Sequence, residues 1–318
     1  MSIVPDNPRI LNILFAASET HWREYETHLR HALRAQGLRF KLLTDCPPGQ
    51  VDYIVYAPNS SIQNFTPYSN CRAVMNLWAG VENVVNNPTL TMPLTRMVDH
   101  GMTRGMVEWV TGHVLRHHLG TDAHVLGQDG EWRSGIPPLA TDRPVTILGM
   151  GVLGRACGVT LSGLGFPVTG WSRSQKNIPG IRCFYGSSTL NEVLEHTQIL
   201  VLLVPSTAAT KHLICKERLA CLPRGAVLIN PGRGLLIDDS ALIEALDSDQ
   251  LAHATLDVFT IEPLPPKHEF WHHPKITVTP HIASATRPTS ASKVIANNIS
   301  RSEAGEPLLH LVNRQAGY

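Results

Sequence analysis

The stretch Val145-Thr146-Ile147-Leu148-Gly149-Met150-Gly151-Val152-Leu153-Gly154-Arg155 decides the fold of this 318-residue chain. An apolar run rich in β-branched residues leads into three glycines spaced Gly-x-Gly-x-x-Gly. Residues with helix-like apolar spacing follow (Val152, Leu153, Ala156, Val159, Leu164), and residues 166–169 read as a second strand. Strand, turn, helix and strand in that order are what a dinucleotide-binding fingerprint requires. Gly149 permits the tight turn, Gly151 lets the backbone approach a pyrophosphate, and Gly154 lets the helix pack close to the strand. The amides of Val152 and Leu153, at the helix start, then face the phosphates, where the helix dipole favours negative charge.

The end of the second strand decides which dinucleotide. A site for NAD places an acidic residue about 20 residues beyond the glycines to hold the ribose 2′-hydroxyl. Here the chain reads Gly170-Trp171-Ser172-Arg173-Ser174-Gln175-Lys176, and no Asp or Glu occurs from Arg155 to Leu190. A carboxylate would repel a 2′-phosphate, whereas Arg173 can pair with one through its planar fork and stack on adenine. Ser172 and Ser174 offer hydroxyls and Lys176 a further charge. The turn predicts NADP(H).

Working outward, the chain is long enough for two domains. Its 43% hydrophobic content supports real cores, and a net charge of +1 carries no nucleic-acid signal. The six cysteines form no CxxC pair, as in a reducing compartment, and the apolar run at 10–17 is too short to span a membrane. A cytoplasmic location is the expectation.

In the first third, residues 10–16, 38–43, 51–57 and 73–78 read as strands and 18–36 as an amphipathic helix stopped by Gly37. That alternation predicts a small parallel sheet. The loop Trp78-Ala79-Gly80-Val81 leaves a strand at its carboxyl end, where open α/β sheets bind ligands. Residues 101–118 carry helical spacing (Met102, Met106, Trp109, Val110, Val114, Leu115) and predict a helix joining two domains. A polar, glycine- and proline-rich segment at 120–143, with Trp132 in its middle, suits a functional loop, a disordered one or part of an interface. Beyond the fingerprint, residues 199–204, 226–230, 254–258 and 276–279 are apolar runs suited to a parallel sheet covered on both faces, and 238–246 is a capped helix. A last amphipathic helix starts near Arg287.

Three polar groups sit just beyond those late strands: Arg233 in Asn230-Pro231-Gly232-Arg233-Gly234, Glu262 in Leu256-Asp257-Val-Phe-Thr-Ile-Glu262-Pro263, and His281 in Thr279-Pro280-His281-Ile282-Ala283. A guanidinium can hold a carboxylate or polarise a carbonyl. An imidazole can deliver a proton near neutral pH, and a nearby carboxylate favours its charged form. The histidine pairs His117-His118 and His272-His273 lack an accompanying carboxylate cluster, and no metal is expected.

Taken together, these motifs resemble the D-isomer-specific 2-hydroxyacid dehydrogenases over nearly the whole chain, with Asp99-His-Gly-Met102 and the Ala316-Gly317-Tyr318 ending included. The glyoxylate/hydroxypyruvate reductase A branch is the nearest in pattern. The resemblance implies an α/β protein of two doubly wound parallel-sheet domains, Rossmann-like and flavodoxin-like, with a cleft between them. It implies a discontinuous substrate-binding domain, 1–101 plus 287–318, and an NADP-binding domain, 102–286. It implies reduction of small 2-oxo acids to 2-hydroxy acids (glycolate, D-glycerate), with Arg233 as substrate clamp, His281 as proton donor and Glu262 as its partner. Ala79 and Gly80 would hold the carboxylate beside Trp78, which stands where many relatives have a small residue. Asp257 would bond the nicotinamide carboxamide. Met150, Val204, Pro205, Pro231, Gly232 and Ala283, with Arg233 and His281, would line the cofactor. A homodimer built on the 120–140 segment is also implied. Two alternatives stand beside this reading: a nucleotide-sensing, corepressor-like scaffold, from which the absence of a partner-binding tail argues away, and a phosphite- or formate-type dehydrogenase of the same family.

Overall fold

The structure is a computed structural model that describes residues 9–317; the first eight residues and Tyr318, which closes the Ala316-Gly317-Tyr318 ending, lie outside the described residues. The chain divides into two compact units, one of the residues up to Met102 together with those from Thr286 on, the other Thr103–Ala285.

In the first unit, β1 (Leu11–Ala16) runs straight into α1 (Glu19–Ala35), and β2 (Phe40–Leu43), β3 (Tyr53–Tyr56), β4 (Ala73–Asn76) and β5 (Leu94–Thr95) follow. Ser18 caps α1, its hydroxyl accepting the His21 amide. The strands order as β2-β1-β3-β4-β5, every pair parallel. Because β2 and β3 flank β1 on opposite sides, the order reverses between β1 and β3. Both faces of the sheet are buried, which is why its strands read as continuous apolar runs. Ile13, Tyr53, Val55 and Met75 pack under α1 and the last helix, while Leu14, Ile54, Tyr56 and Val74 pack on Phe65 and Leu90.

Helix α2 (His100–Leu119) contains the division between the units, placing Met102 in the first core and Met106, Val110 and Val114 in the second. Its first turn is capped by the Asp99 carboxylate, which accepts the Met102 amide at 2.9 Å.

The second unit continues with α3 (Thr121–Leu126), β6 (Val145–Leu148), α4 (Val152–Gly163), β7 (Val168–Ser172), β8 (Arg182–Tyr185), α5 (Leu190–Glu195) and β9 (Ile199–Leu202). It is completed by α6 (Lys216–Cys221), β10 (Ala226–Asn230), α7 (Asp239–Asp247), β11 (Leu251–Leu256) and β12 (Ile276–Val278). All seven strands are parallel in the order β12-β11-β10-β9-β6-β7-β8, which reverses between β6 and β9. The two orders are the flavodoxin-like and Rossmann-like forms of the doubly wound sheet, and in both the crevice at the reversal is where ligands bind. Helix α8 (Pro288–Glu303) returns to the first unit, where Ala291, Ile295 and Ile299 join the core under α1. At its end Glu303 accepts from the Tyr53 hydroxyl and from Arg72, each at 2.5 Å.

One expectation about α4 is corrected. Its buried face is Gly154, Cys157, Gly158 and Leu161, whereas Val152, Val159 and Leu164 are 51%, 50% and 47% exposed. Close packing on the sheet selects small residues there: a Cβ at Gly154 would collide with the Gly149 carbonyl, and one at Gly158 would come within 2.8 Å of Ile181. The histidines of α2 diverge: His117 bonds the Thr255 hydroxyl at 2.8 Å, and His118 packs edge-on against Phe166. Burial, with His253 and Arg116 nearby, pushes His117 down to about 3, so it stays neutral.

Candidate active site

At the reversal point of the second sheet, Gly149 follows β6 with a φ of +109°, in the left-handed region that favours glycine. A Cβ there would drive into the backbone of Leu203 and Val204 at the end of β9. Gly151 differs: a Cβ built on it meets nothing within 4 Å, and its φ is an ordinary −77°. The fold therefore does not require glycine at position 151, and the open space above it suits the close approach of a bound group. Gly151 caps α4 with no side-chain hydrogen bond, which leaves the first-turn amides of the helix available to an anion. These groups fit a pyrophosphate.

The turn after β7 exposes Arg173, Ser174 and Lys176. Two other residues expected at the nucleotide are engaged within the chain. The Ser172 hydroxyl donates to the Ser174 carbonyl at 2.7 Å, and the buried Trp171 indole donates to the Gly186 carbonyl at 3.0 Å. Met150, Val204, Pro231, Gly232 and Ala283 are likewise buried, so these positions offer backbone more than side chain. Pro205 follows Val204 and is half-buried.

Arg233, Glu262 and His281 come together at the carboxyl ends of β10, β11 and β12. Asn230, the last residue of β10, organises the first loop: its side chain donates to the Arg233 carbonyl at 2.9 Å and accepts the Gly232 amide at 3.1 Å. Gly234 lies flush against the next loop, where a Cβ would overlap the backbone of Phe259 and Thr260. The Arg233 loop and the Glu262 loop are thus in backbone contact.

Glu262 has its Oε1 on the Phe259 amide at 2.9 Å and its Oε2 on His281 Nδ1 at 2.7 Å. His281 sits at φ +55°, a left-handed conformation uncommon outside glycine. Asp257 over-determines it. The Asp257 carbonyl accepts the His281 amide at 2.8 Å. Its carboxylate accepts the Thr279 hydroxyl (2.5 Å) and the amides of Ile282 (2.9 Å) and Ala283 (2.8 Å). Burial pushes the Asp257 carboxyl up, and these donors hold it back.

The Glu262 hydrogen bond raises the His281 pKa above the ordinary imidazole value, against the opposing effects of burial and of Arg233. Burial pushes Glu262 up, but the hydrogen bond from His281, the Phe259 amide and the nearby positive charges outweigh it, and its pKa is lowered. With Nδ1–H directed at Glu262, the Nε2 side of the half-exposed imidazole is left to face a reacting atom. A donor whose proton is retained to higher pH, beside a guanidinium, can protonate the oxygen of a held carbonyl.

In the first unit, Asn76 at the end of β4 plays the part that Asn230 plays in the second. Its amide donates to the carbonyls of Trp78 (2.8 Å) and Gly80 (2.9 Å). The amides of Ala79 and Gly80 donate to no acceptor among the described residues. Two N–H groups without an internal acceptor on one loop suit a carboxylate. Neither Asn76 nor the anchoring role of Asp257 was legible from spacing, since the partners of each are fixed only by how the loops fold back. The only local signal is a polar residue closing an apolar strand.

Residues 111–283 match the family model of the D-isomer specific 2-hydroxyacid dehydrogenase, NAD binding domain. The chain is 35% identical to glyoxylate/hydroxypyruvate reductase A of Serratia proteamaculans, over 97% of this chain and 100% of the relative. It is 39% identical to the protein of that name from Klebsiella pneumoniae strain 342, over 78% and 82% of the two chains. Among solved structures, it is similar to a D-isomer specific 2-hydroxyacid dehydrogenase from Xanthobacter autotrophicus Py2 in complex with NADPH and MES, with a TM-score of 0.90, 36% identity, and 96% and 99% of the chains covered. It is also similar to the NADPH-dependent glyoxylate/hydroxypyruvate reductase of Sinorhizobium meliloti in complex with NADP and sulfate, with a TM-score of 0.85, 34% identity, and 97% and 100% covered.

Proposed function

The chain belongs to the D-isomer-specific 2-hydroxyacid dehydrogenase family, and from that premise we propose that it reduces small 2-oxo acids, glyoxylate and hydroxypyruvate among them, to 2-hydroxy acids at the expense of NADPH. The observation that carries the proposal is the 2.7 Å His281–Glu262 pair, set beside Arg233 at the ends of three adjacent strands.

The second unit takes the dinucleotide. The amides opening α4 and the open face of Gly151 hold the pyrophosphate, and Arg173, with Ser174 and Lys176, holds the 2′-phosphate. The backbone around Met150, Trp171, Ser172, Val204, Pro205, Pro231, Gly232 and Ala283 lines it, and Asp257, whose Oδ2 accepts the Ala283 amide and keeps a second lone pair, bonds the nicotinamide carboxamide. When bound, NADPH supplies the hydride that reduces the carbonyl carbon. Arg233 binds the acid's carboxylate and carbonyl oxygen by charge-assisted hydrogen bonds. The amides of Ala79 and Gly80, beside Trp78, hold the carboxylate. His281 gives its Nε2 proton to the oxygen as negative charge develops there, and Glu262 steadies the imidazolium and fixes the ring.

A homodimer is the proposed assembly. Val125, Leu126, Trp132, Ile136 and Leu139 are 70%, 83%, 94%, 93% and 72% exposed along one segment, an apolar display of the kind that marks a protein interface. The proposed location is the cytoplasm. Six free cysteines support it, among them buried Cys71 and Cys157, whose thiols burial pushes up to about 12. Among the described residues no helix is long and apolar enough to cross a membrane.

NADPH oxidation followed in parallel with glyoxylate, hydroxypyruvate and phenylpyruvate, and NADP+ reduction followed with phosphite, test the function. Turnover with the first two supports it. Turnover with phosphite alone, or none with any of the four, overturns it.

A further inference from the structure

The reversal point of the first sheet carries a polar group that the reduction chemistry above does not use. It is His21, on the first turn of α1, where the loops leaving β1, β3 and β4 meet. The His21 ring lies beside the Trp78 indole, with centroids 6.5 Å apart at 59°. Trp78 opens the loop whose Ala79 and Gly80 amides are unengaged.

The hydrogen bonds around His21 fix its tautomer. The Ser18 hydroxyl oxygen accepts the His21 amide at 3.3 Å as the helix cap, and the same oxygen is 2.7 Å from His21 Nδ1. A hydroxyl has one hydrogen. The oxygen has two lone pairs as well, so this contact alone lets it give its hydrogen to Nδ1 or accept one from it. The Asn59 side-chain amide, from the loop after β3, also approaches Nδ1, at 3.4 Å. The Asn59 amide nitrogen can only donate, so Nδ1 accepts there, the Ser18 hydrogen points to it as well, and the neutral ring carries its proton on Nε2. Among the described residues no acceptor meets that Nε2–H.

We infer that His21 is a specificity-determining residue that reads the substituent on C3 of the 2-oxo acid, a reading that rests on the proposed reductase function. Its Nε2–H donates to a hydroxyl at C3, while the Trp78 ring covers the methylene that carries it. An acid with no C3 makes neither contact. Asn59 and Ser18 are positioning residues that hold the donor tautomer. A site built to bond a hydroxyl discriminates against analogues lacking one, because the half-buried donor is then left without its partner.

The experiment compares kcat/KM for hydroxypyruvate and glyoxylate, with NADPH, in the full-length parent and in His21→Leu and His21→Gln. Glyoxylate lacks C3 and serves as the internal reference. His21→Leu is expected to lower the hydroxypyruvate-to-glyoxylate ratio about tenfold, the size of one net hydrogen bond. His21→Gln, which keeps an N–H donor, is expected to recover part of it. An unchanged ratio in His21→Leu, both acids falling together as a structural role would dictate, overturns the inference while leaving the reductase reading intact. Equal ratios in the Leu and Gln variants overturn it as well. A parent that reduces neither acid overturns the reductase reading, and this inference with it.

Discussion

Glu262 Oε2 lies 2.7 Å from His281 Nδ1, and neither residue is free to drift from the other. The Phe259 amide holds the carboxylate from one side, and the Asp257 clamp holds the imidazole loop from the other. A proton donor fixed in this way has its working pH set by its partner.

Glu262→Gln should therefore move the pH profile in a stated direction. The Glu262 hydrogen bond raises the His281 pKa, so the charged donor persists to higher pH in the parent. Reduction falls as pH rises through that pKa. Without the carboxylate the pKa drops, and the fall in kcat/KM begins at lower pH. His281→Ala should cost about 10²–10⁴ in kcat, the usual range for a general acid, with NADPH still bound. Overlaid profiles for the parent and Glu262→Gln would separate Glu262 from the proton donor.

Arg233→Lys keeps a charge and loses the planar fork, so it should act as a severe change. The expected result is a large loss of kcat/KM with 2-oxo acids and little change in NADPH affinity. Steady-state kinetics with a direct nucleotide titration separates the two. If nucleotide binding falls as far as turnover, Arg233 belongs to the nucleotide site.

The frame of this site is legible in the sequence wherever a local pattern has one structural solution. β10 begins and ends where the apolar run 226–230 does, and Ser18 and Asp238 cap α1 and α7 as their residue types suggest. The pattern fails where burial is decided by a distant partner. Arg182–Tyr185 forms the edge strand β8, half-exposed and without alternation, so it carries no strand signature. The buried face of α4 is made of glycines and a cysteine, which a search for large apolar residues passes over. Asp257 sits in a recognisable motif, yet its three donors come from residues 279–283, more than twenty positions downstream. Asn76 and Asn230 act on loops whose shape no spacing records.

Cofactor choice is tested at the turn after β7. Arg173 is exposed there, in a stretch from 155 to 190 that contains no carboxylate. The parent should prefer NADPH to NADH. Arg173→Asp should weaken NADPH by about 3 kcal/mol, the size of one or two charge-assisted hydrogen bonds. NADH should be affected less, because it has no 2′-phosphate to repel. Equal kcat/KM for the two cofactors in the unmodified protein would sink this prediction.

The last prediction separates two glycines of one motif. A Cβ on Gly151 meets nothing within 4 Å at a φ open to any residue, so Gly151→Ala should leave Tm unchanged or slightly raised, through reduced freedom of the unfolded chain. What it fills is the space above the first turn of α4, where the pyrophosphate is proposed to lie. NADPH affinity should fall, by tenfold or more on the order of one displaced backbone hydrogen bond. Gly154→Ala places its methyl into the Gly149 carbonyl, a backbone atom that cannot step aside. It should destabilise the fold by about 1–3 kcal/mol or more, as overpacking does, and lower Tm before any ligand is added. Thermal unfolding with and without NADPH distinguishes them: Gly151→Ala loses the shift produced by the ligand, and Gly154→Ala loses the starting stability. A Gly151→Ala protein with a full NADPH shift would mean that the dinucleotide does not approach the chain at this turn.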